Sequence, residues 1–296
     1  MTSSFSSSSI RSIAAFALLA GASSAFSHVT LPPGGATAGS DYDAAFRVGH
    51  ACKDAQATTG VTVQLPDGFR LSEAQARKGW TLASNPREVA WKAESPATAL
   101  PGAERAEFIV RGKLTDQPGP LYFKVLQTCD KGSADWAQRP VPGASDKPAF
   151  PAARLDVLAP GVAAVDVRDA WVRQTVPGQS GTGAFMKLNA PSGARLVGAS
   201  TPVAGVAEVH EMKMDGDTMR MREVQGGLAL PPRQTVELKP SGYHLMLMDL
   251  KQPMPKGATV LMTLRFEDAK GVKSTLELKV PVGAPEGAPA AGGHVH

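Results

Sequence analysis

Cysteine is nearly absent from this chain of 296 residues: there are two, Cys52 and Cys129, and none beyond position 129. That excludes from the second half any electron-transfer centre that needs a cysteine thiolate beside two histidines. Long apolar runs are missing as well. The apolar run near the start, IAAFALLAGA from Ile13 to Ala22, falls far short of the roughly 20 residues that a membrane-spanning helix requires. Basic residues exceed acidic ones to give a formal net charge of +4. They form neither a run nor an aromatic-interleaved patch, which sets nucleic acid aside as a partner. What the chain does have is 30 glycines and 24 prolines, a composition that favours many turns over long helices. An all-β architecture follows.

The length suits two domains, each large enough to bury a core. Residues 1–27 read as a cleaved signal peptide: Arg11, the short apolar run, then Ala25-Phe26-Ser27 with small residues near the cut. An uncleaved anchor is the alternative. Export predicts a soluble periplasmic protein and makes Cys52–Cys129 an expected disulfide, because exported thiols meet an oxidising compartment.

Cleavage after Ser27 would make His28 the first mature residue. Its imidazole and free amine could then chelate one ion together, a two-nitrogen arrangement suited to Cu(II). Short apolar runs separated by turn residues follow: AAFRV, GVTVQLPDG, EVAWKA, RAEFIVRG, LYFKVLQTC and ARLDVL. They predict an antiparallel sandwich over residues 28–158. The segments HVTLPP, FRVGHAC, TTGVTVQLPDGF, KGWTL, LYFKVLQTC and DWAQRP resemble the YcnI-like family of secreted copper-associated domains. The resemblance implies Cu(II) at the mature N-terminal histidine, here His28, with a tryptophan at the site, here Trp136, and a carboxylate. Where that carboxylate is expected this chain has Tyr42, flanked by Asp41 and Asp43. His50 and Cys52 could pair on one strand face as metal ligands, but a disulfide to Cys129 claims Cys52. Trp80 and Trp91 read as packing residues.

Pro, Ala and Gly dominate Arg139–Gly161, and a boundary falls there, with residues 159–162 as linker. Nine strand-like segments fill residues 163–282, from VDVRDAWVR to KSTLELKV, and predict a second β-sandwich of Greek-key, cupredoxin-like type. Within it EVHEMKMDGDTMRMREV and SGYHLMLMDL carry two of the six histidines and six of the ten methionines. Thioether and imidazole so concentrated are ligands for Cu(I). Strand parity puts His210 with Met212, Met219 with Met221, and His244 with Met246 and Met248. The order of these segments resembles the periplasmic copper(A) chaperone (PCuAC) family across residues 163–282. It implies Cu(I) ligands at His210, Met221, His244 and Met246, with one extra residue in the loop around Gln225–Arg233. Met186, Met254 and Met262 read as core filler. The tail, residues 283–296, has linker composition and carries His294 and His296.

Together these features predict a periplasmic copper metallochaperone, not an enzyme, and a monomer. The resemblance implies a periplasmic copper-receiving protein or the CuA subunit of cytochrome c oxidase as its partner. The alternatives are a mononuclear copper oxygenase built on His28, for which His50 is the other histidine of that domain, and a metal-free interaction module.

Overall fold

The computed structural model describes residues 28–141, 143, 148–216 and 218–284. The expected signal peptide and the tail histidines His294 and His296 lie outside the described residues. Within them the protein is all-β apart from a short 3-10 turn at Pro96–Thr98. None of their helices is long and apolar enough to cross a membrane.

The buried side chains fall into two clusters, one drawn from Val29 to Val157 and one from Ala163 to Val282. Around the first, a three-stranded sheet in the order Asp41–Val48, Ala106–Leu114, Phe69–Ala74 accompanies an eight-stranded sheet. Phe46, Phe69 and Phe123 meet edge to face, and Trp80 and Trp91 both pack on Phe108. The six strands expected from the sequence all form. The structure adds the short strands Ala36–Thr37, Leu100–Pro101 and Ser133–Trp136, and the longer Phe69–Ala74 and Trp80–Asn85, which lie at sheet edges with one fully buried side chain each. Edge strands have little to bury, so they lack the alternation that marks the others. The sandwich is also not wholly antiparallel, because Ala36–Thr37 runs parallel to Ala153–Leu158.

The second cluster is accompanied by a six-stranded and a four-stranded sheet. All nine expected strands form, joined by Leu228–Leu230, which is three residues long and set between glycine and proline pairs. The six-stranded sheet positions the site. Its order is Asp166–Val172, Gly181–Asn189, His244–Leu250, Ala204–Asp215, Thr218–Glu223, with Thr235–Leu238 also paired to Gly181–Asn189. Alternation splits each strand: Val209, Leu245, Leu247, Ala184 and Met186 join the core. Their neighbours point to the opposite face. Met186, Met254 and Met262 are buried to 2% exposure or less, which is core filling.

Candidate metal centre

On that outward face the register makes His210 and His244 direct partners across Ala204–Asp215 and His244–Leu250. Met246 is two residues beyond His244 and opposite Glu208; Met212 is two beyond His210 and opposite Met221. Asp215 pairs with Thr218, and the same register brings Met221 back beside Met212. One face thereby gathers both histidines and the three methionines Met212, Met221 and Met246 from three adjacent strands.

The hydrogen bonds orient the rings. His244 Nδ1 lies 3.1 Å from the Gly242 carbonyl oxygen, an atom that can only accept, so Nδ1 carries the proton. Burial pushes the His244 pKa below its ordinary value, helped by the nearby His210 and Arg173 and opposed by the Gly242 bond, so the ring is neutral at pH 7. Its Nε2 therefore presents a lone pair, and it faces the Met221 Sδ at 3.2 Å. Two acceptors directed at one another gain nothing without a cation between them. His210 repeats the arrangement with its nitrogens exchanged. Nε2 lies 3.1 Å from the Glu208 carboxylate, which makes it the proton-bearing atom, and Nδ1 is buried with no hydrogen-bond partner among the described residues.

An unsatisfied buried polar atom costs about 1–3 kcal/mol. A buried lone pair left bare fits a metal ligand better than a structural histidine. The ring centroids are 6.1 Å apart. Imidazole nitrogen binds metal at roughly 2 Å, so both rings can reach one ion. Both residues are nearly buried, at 8% and 5% exposure, whereas Met221 stands 47% exposed. The set thus opens to solvent on the thioether side. On the other side Phe185 stacks on Trp171 and approaches His244, with the Arg173 guanidinium over its ring.

Met246 is half-buried, its methyl resting over Gly181, where an added Cβ would lie 3.0 Å from Met246 Cε. Glu208, Gly181 and the Gly242 carbonyl are contributions that the sequence reading left out. Glu208 was accessible to it, since E-x-H on a strand puts both side chains on one face. The segment between Met221 and His244, where the resemblance implies one extra residue, holds the short strand Leu228–Leu230, with Gly226, Gly227 and Arg233 at positive φ around it. Among the described residues no three His, Cys, Asp or Glu side chains converge as a metal site.

In the first domain His28 meets Trp136 edge to face, ring centroids 5.8 Å apart. Trp136 is buried and donates its indole N–H to Gln127, whose amide bonds the His50 carbonyl and the Thr58 hydroxyl. Cys52 and Cys129 form the expected disulfide, with Cα atoms 6.0 Å apart. The bridge of Thr30 to Arg47 sets His28 by the Val48 end of Asp41–Val48. Asp41 and Asp43 sit at the other end, more than about 15 Å away at strand rise, and Asp43 pairs with Arg111. Neither completes a site at His28. Tyr42 between them turns inward, its hydroxyl buried without a partner among the described residues and its pKa raised by that burial.

Residues 165–282 match the family described as "Putative lipoprotein LpqE-like", and residues 28–88 and 81–157 match a domain of unknown function, DUF1775. A curated relative, "Putative lipoprotein Lxx21020" of Leifsonia xyli subsp. xyli, is 34% identical over 118 residues, 40% of this chain and 69% of its own length. The chain belongs to the LpqE-like family. Its first domain is of the DUF1775, YcnI-like kind. Among solved structures, an uncharacterised Nocardia farcinica protein with an immunoglobulin-like fold is 27% identical, covering 44% of this chain and 97% of its own (TM-score 0.40). CuI-DR1885 of Deinococcus radiodurans is 31% identical, covering 42% and 80% (TM-score 0.33). The copper-bound PCuAC domain of PmoF2 is 23% identical, covering 41% and 93% (TM-score 0.33). The LpqE-like domain of this chain contains the whole His/Met face.

Proposed function

We propose that this protein is an exported copper carrier whose LpqE-like domain holds Cu(I) through His210, Met221 and His244, with Met246 completing the set. The supporting observation is the pair of bare lone pairs: His244 Nε2 directed at Met221 Sδ, and His210 Nδ1 buried without a partner among the described residues. Two neutral imidazoles and two thioethers form an uncharged, soft donor set that prefers Cu(I). Thioethers form no disulfides, so the set survives an oxidising compartment in which thiolates would not. Exposure of Met221 lets a recipient's ligand replace it first, which suits transfer better than storage. The ion is cargo, and the protein is no enzyme.

The recipient under this reading is a periplasmic copper-receiving protein such as the CuA subunit of cytochrome c oxidase. The lipoprotein naming of the family and of the Leifsonia relative supports an envelope location. His28, freed as the N-terminus by signal cleavage, takes Cu(II) beside Trp136, and the ring contact between them favours this second site. Competition against a chromogenic Cu(I) chelator tests the main reading. The His210→Ala/Met221→Ala variant should lose more than the roughly 10–100-fold that changes outside a metal's own ligands cost. Unaltered affinity overturns it. Mass spectrometry of the exported protein loaded with Cu(II) tests His28 as the mature terminus and counts the ions bound.

A further inference from the structure

Beyond the four-ligand set, the hairpin carries methionines that this set does not use. Met214 and Met219 face each other across Ala204–Asp215 and Thr218–Glu223, one rung outward from Met212 and Met221. They stand 55% and 50% exposed. Every described side chain of Thr218–Glu223 is exposed, so this end of the ribbon covers no core. Its reverse face is charged, with Lys213 opposite Arg220 and Glu211 bonded to Arg222. Core filling accounts for methionines such as Met262, fully buried. It cannot account for paired thioethers on a ribbon whose other face lies in water. Single exposed apolar residues are ordinary, but a contiguous row on a projecting edge is not.

We propose that Met214 and Met219, with Met212 as third donor, form a second site for a soft monovalent cation, made of thioethers alone. Directly opposed side chains have Cβ atoms about 4.5–5.5 Å apart, and successive rungs on one face are about 7 Å apart. Unbranched methionine side chains span such gaps, and their adaptable torsions let three sulfurs meet one ion. The site has no imidazole to shield it and is open to solvent, so it binds more weakly than the histidine set. Its place next to Met221 makes it the position an ion occupies on entering or leaving. The inference deepens the Cu(I) reading and rests on it only for the direction of travel.

The test uses full-length exported protein with carbon-13 methionine methyl groups, titrated anaerobically with Cu(I) and followed by NMR. The first equivalent should move the Met221 and Met246 methyls, and a later, weaker one the Met214 and Met219 methyls. In Met214→Leu/Met219→Leu the later phase should vanish while the first stays, since leucine keeps the apolar volume and removes sulfur. Met214 and Met219 methyls unmoved at saturating Cu(I), or a later phase that persists in the double variant, overturns the second site. A first equivalent that leaves Met221 and Met246 unmoved while Met214 and Met219 respond defeats the four-ligand reading and leaves this one standing.

Discussion

His244 shows how one side chain's surroundings set its chemistry. Its Nδ1 proton is held by the Gly242 carbonyl and its Nε2 lone pair is turned toward Met221. Burial lowers its pKa from the ordinary value of about 6.5. The sign of the consequence follows. Between the ordinary and the depressed value the unfolded chain binds a proton that the folded chain refuses, so stability from this group is complete above about 6.5 and is lost as pH falls. The ligand form of His244 is retained over the same range, so proton competition at this ligand should weaken Cu(I) binding only below about 6.5. Nitrogen-15 NMR of the metal-free protein should show His244 as the Nδ1–H tautomer with a midpoint below 6.5. A midpoint at or above that value, or the other tautomer, would contradict the assignment. Glu208 serves His210 in the same manner by accepting the hydrogen bond that Nε2–H donates, which leaves Nδ1 without a proton.

At the scale of the strand, the site is a product of register. A slip of one residue between Ala204–Asp215 and His244–Leu250 would turn His210 to the core face and leave His244 outside. Gly181 adds a steric condition at the sheet's far side, because the Met246 methyl occupies the room that a side chain there would take. Gly181→Val should push Met246 aside and weaken Cu(I) binding by about 10-fold, the scale of changes that act on a ligand through its support. Valine suits a strand, and although an added Cβ would also lie 3.3 Å from the Leu247 carbonyl oxygen, thermal stability should fall only slightly. A chelator competition and a melting curve together check this: unchanged affinity, or a collapse of stability, refutes it.

For the whole molecule, the two buried clusters share no residue, and only the first is crosslinked. The Cys52–Cys129 bond closes a loop with a separation of 77 residues. Removing a native disulfide from a small secreted domain costs about 2–5 kcal/mol. The Arg233–Glu107 ion pair links the two parts, but both side chains are partly exposed, and such pairs contribute about 0–1 kcal/mol. Cys52→Ala/Cys129→Ala should therefore lower one calorimetric transition by that amount and leave Cu(I) affinity at the histidine set unchanged. A uniform loss across the molecule, or a loss of Cu(I) binding, would show the domains to be strongly coupled.

Much of this was legible in the sequence because it depends on local chemistry. Turn-rich composition and period-2 runs fix strands wherever one face is buried, which is why all fifteen expected segments are strands and why the exposed edges Phe69–Ala74 and Trp80–Asn85 went unread. Residue type alone marks thioether and imidazole as soft donors, and parity assigns each to a face. The sequence by itself thus determined an all-β chain with a histidine- and methionine-rich region free of cysteine. Which donors meet was decided only in three dimensions, since strand order and register are set by long-range pairing and core packing. Those place Met221 against His244, bare the His210 Nδ1, remove Asp41 and Asp43 from His28, and leave Met214 and Met219 paired in water at the hairpin's end.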